Sequence, residues 1–214
     1  MTLLPAAQRV AVPWKNGGGQ TQEIAVHPPG SSFDDFGWRV SIAQVQRGGP
    51  FSEFPGVDRQ LGVLAGRMQL AISGRELLTL APDSAPVRFP GDVPVAGEPL
   101  DGCVTDLNVM TRRGRYDANL ARRLWKGTIS LVLGADTTFI VAMSPLTLAM
   151  GTASFALAAL DAVRLESVAG ITLCGLAGSP DEPGHCCVAE ISAATTASIS
   201  GSGATQCADP APAK

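Results

Sequence analysis

Side chains alternate with a period of two along much of this chain. The alternation runs through Arg39-Val40-Ser41-Ile42-Ala43-Gln44-Val45 and again through Val104-Thr105-Asp106-Leu107-Asn108-Val109-Met110, as it does in half-buried β-strands. Leu61 to Leu64 reads as a shorter strand ended by Gly66. Met68 to Ile72 and Glu76 to Leu80 read as a hairpin across Ser73-Gly74, and Val87 to Asp92 as a strand end and turn. Arg47-Gly48-Gly49-Pro50 forms a turn, and Phe51 to Arg59 a polar-aromatic loop. Thr111 to Leu124 carries five arginines and is the best candidate for a helix or connector. Short apolar runs between Gly or Asp turns recur from about 125 to 192. From Ala193 the chain turns to Ala, Ser, Thr, Gly and Pro and reads as a disordered tail. Many short strands with few helical periods predict an all-β fold of closed or sandwiched antiparallel sheets. The expected units are residues 1–115, residues 116–192 and a tail over 193–214.

Composition narrows the classes. A chain of 214 residues with 45% apolar and 16% charged residues is not disordered and buries one large or two small cores. The net charge is −3, with no Lys/Arg stripe interleaved with aromatics, which argues against nucleic acid. Through Lys126 there are 14 basic against 12 acidic residues, and after it two against seven. An anionic ligand is therefore expected in the first half. The uncharged run from Thr137 to Leu160 is long enough to span a bilayer, but it holds Pro145 and Gly151 and lacks basic flanks. It reads instead as two buried strands, Phe139 to Met143 and Leu146 to Ala149, joined at Ser144-Pro145. No membrane association is expected. The N-terminal stretch shows no secretory pattern, so a cytoplasmic location is expected. The five cysteines, without a C-x-x-C pair, read as reduced thiols.

The segment Trp14-Lys15-Asn16-Gly17-Gly18-Gly19 places an indole, an ammonium and a carboxamide before three glycines. It suits a cradle for a small anion, or a tight turn with Trp14 in the core and Lys15 in solvent. Arg39 is either a fork for a ligand carboxylate or a tether to one of the protein's own. Asp58-Arg59 is a candidate local ion pair. Alternation puts Asp106, Asn108 and Met110 on one face, and Arg39 and Ser41 on one face. No G-x-S-x-G elbow, P-loop or G-x-G-x-x-G motif is present. The two histidines, His27 and His185, are too few for an imidazole–carboxylate metal site. His185-Cys186-Cys187 clusters soft ligands without an evident third or fourth partner. His27, before Pro28-Pro29, reads as a surface or turn residue.

Four motifs, in order and spacing over residues 8–115, resemble the HutD/Ves family. They are Trp14 to Glu23; Trp38-Arg39-Val40-Ser41; Gly49-Pro50-Phe51-Ser52 with Phe54-Pro55-Gly56 and Asp58-Arg59; and Asp106-Leu107-Asn108-Val109-Met110. The resemblance implies a cupin-superfamily bicupin, with two jelly-roll-like antiparallel β-barrels and few short helices. It also implies a link to histidine utilisation, as a regulator or metabolite-binding governor, with N-formylglutamate as a ligand class. Metal cupins carry G-x5-H-x-H-x3,4-E-x6-G in their first motif. The corresponding stretch near Gly49 to Gly56 has Phe51, Ser52 and Phe54 and no histidine. Pro90-Gly91-Asp92 matches the second motif, but no histidine follows from Val93 to Met110. The expected protein is therefore a binding protein, without metal or cofactor, for a small carboxylate metabolite. Lys15 with Arg39 or Arg59 would neutralise carboxylates. Asn16, Ser52 and Asn108 would orient the ligand, and Trp14, Phe51 and Phe54 would wall it. Gly17 to Gly19 would let the site close, and Asp58 and Asp106 complete the set. A homodimer through sheet edges is expected. The alternatives are a metal-free isomerase or amidohydrolase using Lys15, Glu23 or Asp58, and a module that docks a protein through the Trp14–Gly19 turn.

Overall fold

A computed structural model of the chain describes residues 1–166, 172–178 and 183–195. In chain order the strands are β1 (Thr2–Leu4), β2 (Ala11–Pro13), β3 (Gly19–His27), β4 (Trp38–Val45), β5 (Gly49–Pro50), β6 (Val57–Ala65), β7 (Met68–Ile72), β8 (Leu78–Leu80), β9 (Val87–Pro90), β10 (Val95–Pro99) and β11 (Val104–Arg112). They continue with β12 (Tyr116–Trp125), β13 (Thr128–Leu133), β14 (Thr137–Ala142), β15 (Leu146–Met150), β16 (Ala153–Leu157), β17 (Ala162–Glu166), β18 (Thr172–Ala177) and β19 (Gly184–Ala193). One 3-10 turn, Ala6–Gln8, is the sole helical element among the described residues. The all-β expectation is met.

The strands form four antiparallel sheets. A six-stranded sheet (β2-β3-β4-β11-β6-β9) faces a four-stranded one (β5-β10-β7-β8), and a five-stranded sheet (β1-β17-β14-β19-β12) faces another of four (β13-β18-β15-β16). Val45, Leu61, Met68, Leu70, Phe89 and Val95 fill the first pair. Ile140, Leu148, Val163 and Leu176 fill the second. A third core, with Trp38, Val40, Ile42, Leu107, Phe139 and Ala189, joins the two large sheets back to back. β4 and β11 are therefore covered on both faces, and most positions along them are buried. On such strands a polar side chain is an exception that calls for a reason. Gln60 supplies one example, because its amide donates to the Ala118 carbonyl at 2.5 Å and accepts from the Leu120 N–H at 2.8 Å, tying β6 to the free edge of β12.

Three sequence expectations change. Thr111 to Leu124 is not a helix: β11 runs on to Arg112 and β12 begins at Tyr116. The arginines masked an alternation in which Ala118 and Leu120 are buried while Asp117 and Asn119 are exposed. β6 starts at Val57, earlier than the strand read from Leu61, so Asp58 and Arg59 lie on a strand and not in a loop. Thr2–Leu4 pairs with Arg164–Ala162, so the first strand sits in a C-terminal sheet, an exchange that a linear boundary at 115 does not anticipate. Ala193, where the tail was expected to begin, is the last residue of β19, and residues 196–214 lie outside the described residues. Phe139 and Leu146 lie on β14 and β15, and no helix among the described residues is long and apolar enough to cross a membrane.

Candidate functional site

Strand alternation assembles a polar group on the inner face of the six-stranded sheet. Leu107 and Val109 point into the core between the large sheets. Asp106, Asn108 and Met110 therefore face the four-stranded sheet. The ladders set their neighbours: Met110 pairs with Arg39 and Arg59, Asn108 with Ser41 and Leu61, and Asp106 with Ala43 and Val63. At the usual strand spacing the two arginine Cα atoms lie about 10 Å apart across Met110. In β3, Glu23 stands opposite Ser41 and, after a bulge, Val26 opposite Arg39. Glu23 shares the inner face and reaches Arg39 diagonally.

Arg59 is 5% exposed. Its guanidinium carbon lies 5.1 Å from the Phe89 ring centre, 5.4 Å from that of Phe51 and 5.6 Å from that of Phe54. Nη1 donates to the Ser52 carbonyl at 3.2 Å, and Nε is buried without a partner. Burial lowers its pKa to about 10, against the pull of Asp106. Asp106 is 2% exposed. Burial pushes it up to about 7, and the Arg59 charge acts in the opposite direction. Asn108 Oδ1 is also buried without a partner. Unfilled hydrogen-bonding positions on neighbouring buried side chains are rare in native folds and mark places where a ligand or ordered water completes the set.

Arg39 is the second cation of this face. Its Nε donates to Glu23 Oε2 at 2.8 Å, and its guanidinium carbon lies 4.3 Å from the Phe33 ring centre. Phe33 packs 5.5 Å from Phe54, so an aromatic pair links Arg39 to Arg59. Beside this ion pair opens a cavity of about 460 Å³, lined in part by Gln8, Arg9, Val12, Thr21, Glu23 and Arg39. That volume suits a small metabolite. Arg9 Nη2 is tied to the Leu4 and Leu160 carbonyls at 2.9 and 2.7 Å, while its Nε and Nη1 are buried without partners. Burial lowers its pKa, and Asp161 raises it. Sequence reasoning missed Arg9, Phe33 and Phe89. Phe89 was within reach through its alternation with Val87, whereas Arg9 finds its anchor at Leu160 only through the fold.

The Trp14–Gly19 segment lies elsewhere. Gly19 pairs with Val45 and Val26 with Arg39, so the turn and Arg39 sit at opposite ends of β4, about 20 Å apart along the strand. Its polar groups largely serve the turn. The Trp14 N–H donates to the Gly19 carbonyl at 2.9 Å, the Gly17 N–H to the Trp14 carbonyl at 3.0 Å, and the Gly18 N–H to Asn16 Oδ1 at 3.0 Å. Trp14 packs against the first core and donates Nε1–H to Thr21 Oγ1 at 2.8 Å. Lys15 and Asn16 are exposed. Gly17 is required by its φ of +65°, and Gly19 because a Cβ there would sit 2.3 Å from the Gln44 carbonyl oxygen.

Asp58 does not pair with Arg59, because adjacent strand residues point to opposite faces. Its carboxylate accepts from Arg113 Nε at 3.0 Å and lies 3.5 Å from Arg88, and Arg113 also reaches Asp92. Ser52 is exposed and meets Arg59 through its carbonyl, not its hydroxyl. Of the thirteen proposed ligand residues, the fold brings Arg39, Phe54, Arg59, Asp106 and Asn108 together, with the Ser52 backbone beside them. His27 is not a simple surface residue: it stacks on Trp38 at 5.3 Å and meets the edge of Tyr116. A divalent metal does not fit the inner face, where each carboxyl is accompanied by a guanidinium and no imidazole is present. Among the described residues no three His, Cys, Asp or Glu side chains form a metal-binding group.

Comparison with known proteins identifies the family and the fold. The HutD family model matches residues 6–179. An uncharacterized 21.2 kDa protein from the hutC 3′ region of Pseudomonas putida is 38% identical over 67% of this chain and 74% of its own length. Protein Ves of Cronobacter sakazakii is 38% identical over 50% of this chain and 58% of its own. A conserved protein of unknown function from Pseudomonas aeruginosa PAO1 superposes with a TM-score of 0.81 at 32% identity, over 89% of this chain and 98% of that one. HutD from Pseudomonas fluorescens SBW25, solved in a formate condition, gives 0.76 at 30% identity over 91% and 99%. A cupin 2 conserved barrel domain protein from Leptotrichia buccalis shares the fold alone, at a TM-score of 0.55 and 11% identity over 84% and 92%. The fold is thus cupin-like, and the chain belongs to the HutD family.

Proposed function

We propose that this protein binds a small carboxylate metabolite on the inner face of the six-stranded sheet, without a metal, and that it modulates histidine utilisation through that binding. Arg59 carries the reading. It is a guanidinium buried among three phenylalanine rings, held by one carbonyl and, among the described residues, in no salt bridge. A buried charge of this kind is costly until an anion pairs with it, and the planar fork suits a carboxylate. Asn108 Oδ1 offers an acceptor to a ligand N–H or O–H, and Arg39 stands at the cavity as a second cation. The HutD family name and the hutC-region relative supply the metabolic setting, and N-formylglutamate is the ligand assigned first. In this reading the two sheet pairs are the two jelly-roll barrels of a bicupin that works in the cytoplasm as a homodimer.

Isothermal titration with N-formyl-L-glutamate tests the reading, using the wild type with and without EDTA and an Arg59→Met variant whose fold is checked by melting. The expected result is binding unaffected by EDTA. Loss of a charge-assisted contact worth about 1.5–3 kcal/mol weakens it roughly 10- to 150-fold in the variant. Equal affinity in the variant and wild type, or abolition by EDTA, refutes it.

A further inference from the structure

The inner face is electrically balanced before any ligand arrives. It carries two guanidinium groups, Arg39 and Arg59, and two carboxyls, Glu23 and Asp106. From the facing four-stranded sheet come Met68, Leu70, Ile72, Leu80 and Val95, from β9 Phe89, and from the loop before β6 Phe51, none of them ionisable. Each carboxylate group that enters this space adds one negative charge in excess in a region of low dielectric. One of the two resident carboxyls must yield. The Glu23 side chain is 41% exposed and bonded to Arg39, so it keeps its hydration and its partner. Asp106 is 2% exposed, and the charge that balances it through space is that of Arg59, the group the ligand would occupy.

We propose that Asp106 takes up a proton when a carboxylate docks on Arg59, so that the ligand enters together with one proton. The proposal rests on the carboxylate-binding reading above and adds its regulation by pH. The sign follows from linkage. The free Asp106 titrates at about 7. A ligand anion beside it raises that value further, since a like charge disfavours ionisation. Below about pH 7 the proton is already present and affinity is flat. Above it the dissociation constant climbs, approaching tenfold per pH unit, until the raised value in the complex is passed. The ligand's own carboxyls titrate near 4 and stay outside this window. A protonated Asp106 also changes from acceptor to donor and can hydrogen-bond the incoming carboxylate.

The experiment is titration calorimetry with N-formyl-L-glutamate from pH 6 to 8.5, each point in HEPES and in Tris, whose ionisation enthalpies differ, so that the heats count protons taken up. Wild type is expected to take up nearly one proton near pH 8 and to weaken with rising pH, and Asp106→Asn to bind with a flat pH profile and no uptake. The proton count on the wild type stands even if the variant fails to fold. Binding with no proton uptake overturns this inference and leaves the carboxylate site intact. Uptake that persists in Asp106→Asn overturns the assignment to Asp106. No binding at any pH overturns the carboxylate reading itself.

Discussion

Substituting Asp106 by Asn changes how stability depends on pH, and the size of the change follows from burial. In the folded chain Asp106 titrates at about 7, raised from the ordinary 3.8 by burial and only partly opposed by Arg59. Between those values the folded protein holds a proton that the unfolded chain has released. Stability therefore falls as pH rises across that window, by about 1.4 kcal/mol per pH unit. Above about pH 7 both states are ionised and the penalty stays constant, at roughly 4 kcal/mol. Asparagine has nearly the same shape as the protonated acid and no charge to lose, so the variant lacks this slope. The expected difference between variant and wild type shifts towards the variant by about 3 kcal/mol from pH 5 to pH 7 and then levels off. Because it is a difference, other titrating groups cancel. Urea unfolding at pH 5, 6, 7 and 8 reads it directly from the midpoints, provided the m-values agree. Parallel pH profiles for the two proteins would show that the carboxyl is not the buried group described here.

Other perturbations separate the roles of neighbouring residues. Gln60→Leu leaves the Ala118 carbonyl and the Leu120 N–H without their partner. Two buried orphans cost about 2–5 kcal/mol, so a loss under 1 kcal/mol in urea unfolding would mean that water replaces the amide. Gly19→Ala sets a methyl 2.3 Å from a carbonyl oxygen of β4, whereas at Gly18 the nearest atom, at 3.2 Å, belongs to the Asn16 side chain. The first is expected to lower stability by about 1–3 kcal/mol and the second by clearly less, and equal thermal shifts would contradict this. Arg39→Ala removes an ion pair whose acidic partner is 41% exposed. Its stability cost should stay within about 1 kcal/mol while N-formyl-L-glutamate binding weakens; the reverse pattern in paired melting and titration data would make Arg39 a structural tether.

The strands were legible where both chain ends of an element carried a signal. β4, β7, β11 and β14 follow runs of alternating or apolar residues bounded by turns, and the β7–β8 hairpin turns at Ser73-Gly74 as read. Where polar residues dominated, the pattern was hidden. β12 carries Arg122 and Arg123 and looks helical by composition, yet it is the edge of a sheet, where long cations tolerate solvent on one side. The pairing of β1 with β17 left no trace in the sequence, since three residues show no period and their partner is about 160 positions away.

The candidate site was legible for the same reason that it is unusual. On β4, β6 and β11 the sheet is covered on both sides, so every inward position should be apolar by default. Arg39, Ser41, Arg59, Asp106 and Asn108 break that rule at alternating positions on adjacent strands. Period-two reading of each strand grouped Asp106 with Asn108 and Arg39 with Ser41, but did not say which of the two faces turns inward. What it lacked was register, which decides that Met110 stands between the two arginines and that Glu23 reaches Arg39. The same rule, applied to Asp58-Arg59, would have separated the pair: neighbours in a strand cannot both face inward, and Asp58 belongs with Arg113 and Arg88 outside. The glycine-rich turn stands apart from this face. Three glycines in a row announce unusual backbone, and here the backbone itself accounts for two of them, one through its positive φ and one through contact with Gln44. Buried polar residues that break a pattern therefore make the stronger candidate site than glycines that open a turn, because the first must be offset by a partner and the second are explained by geometry alone.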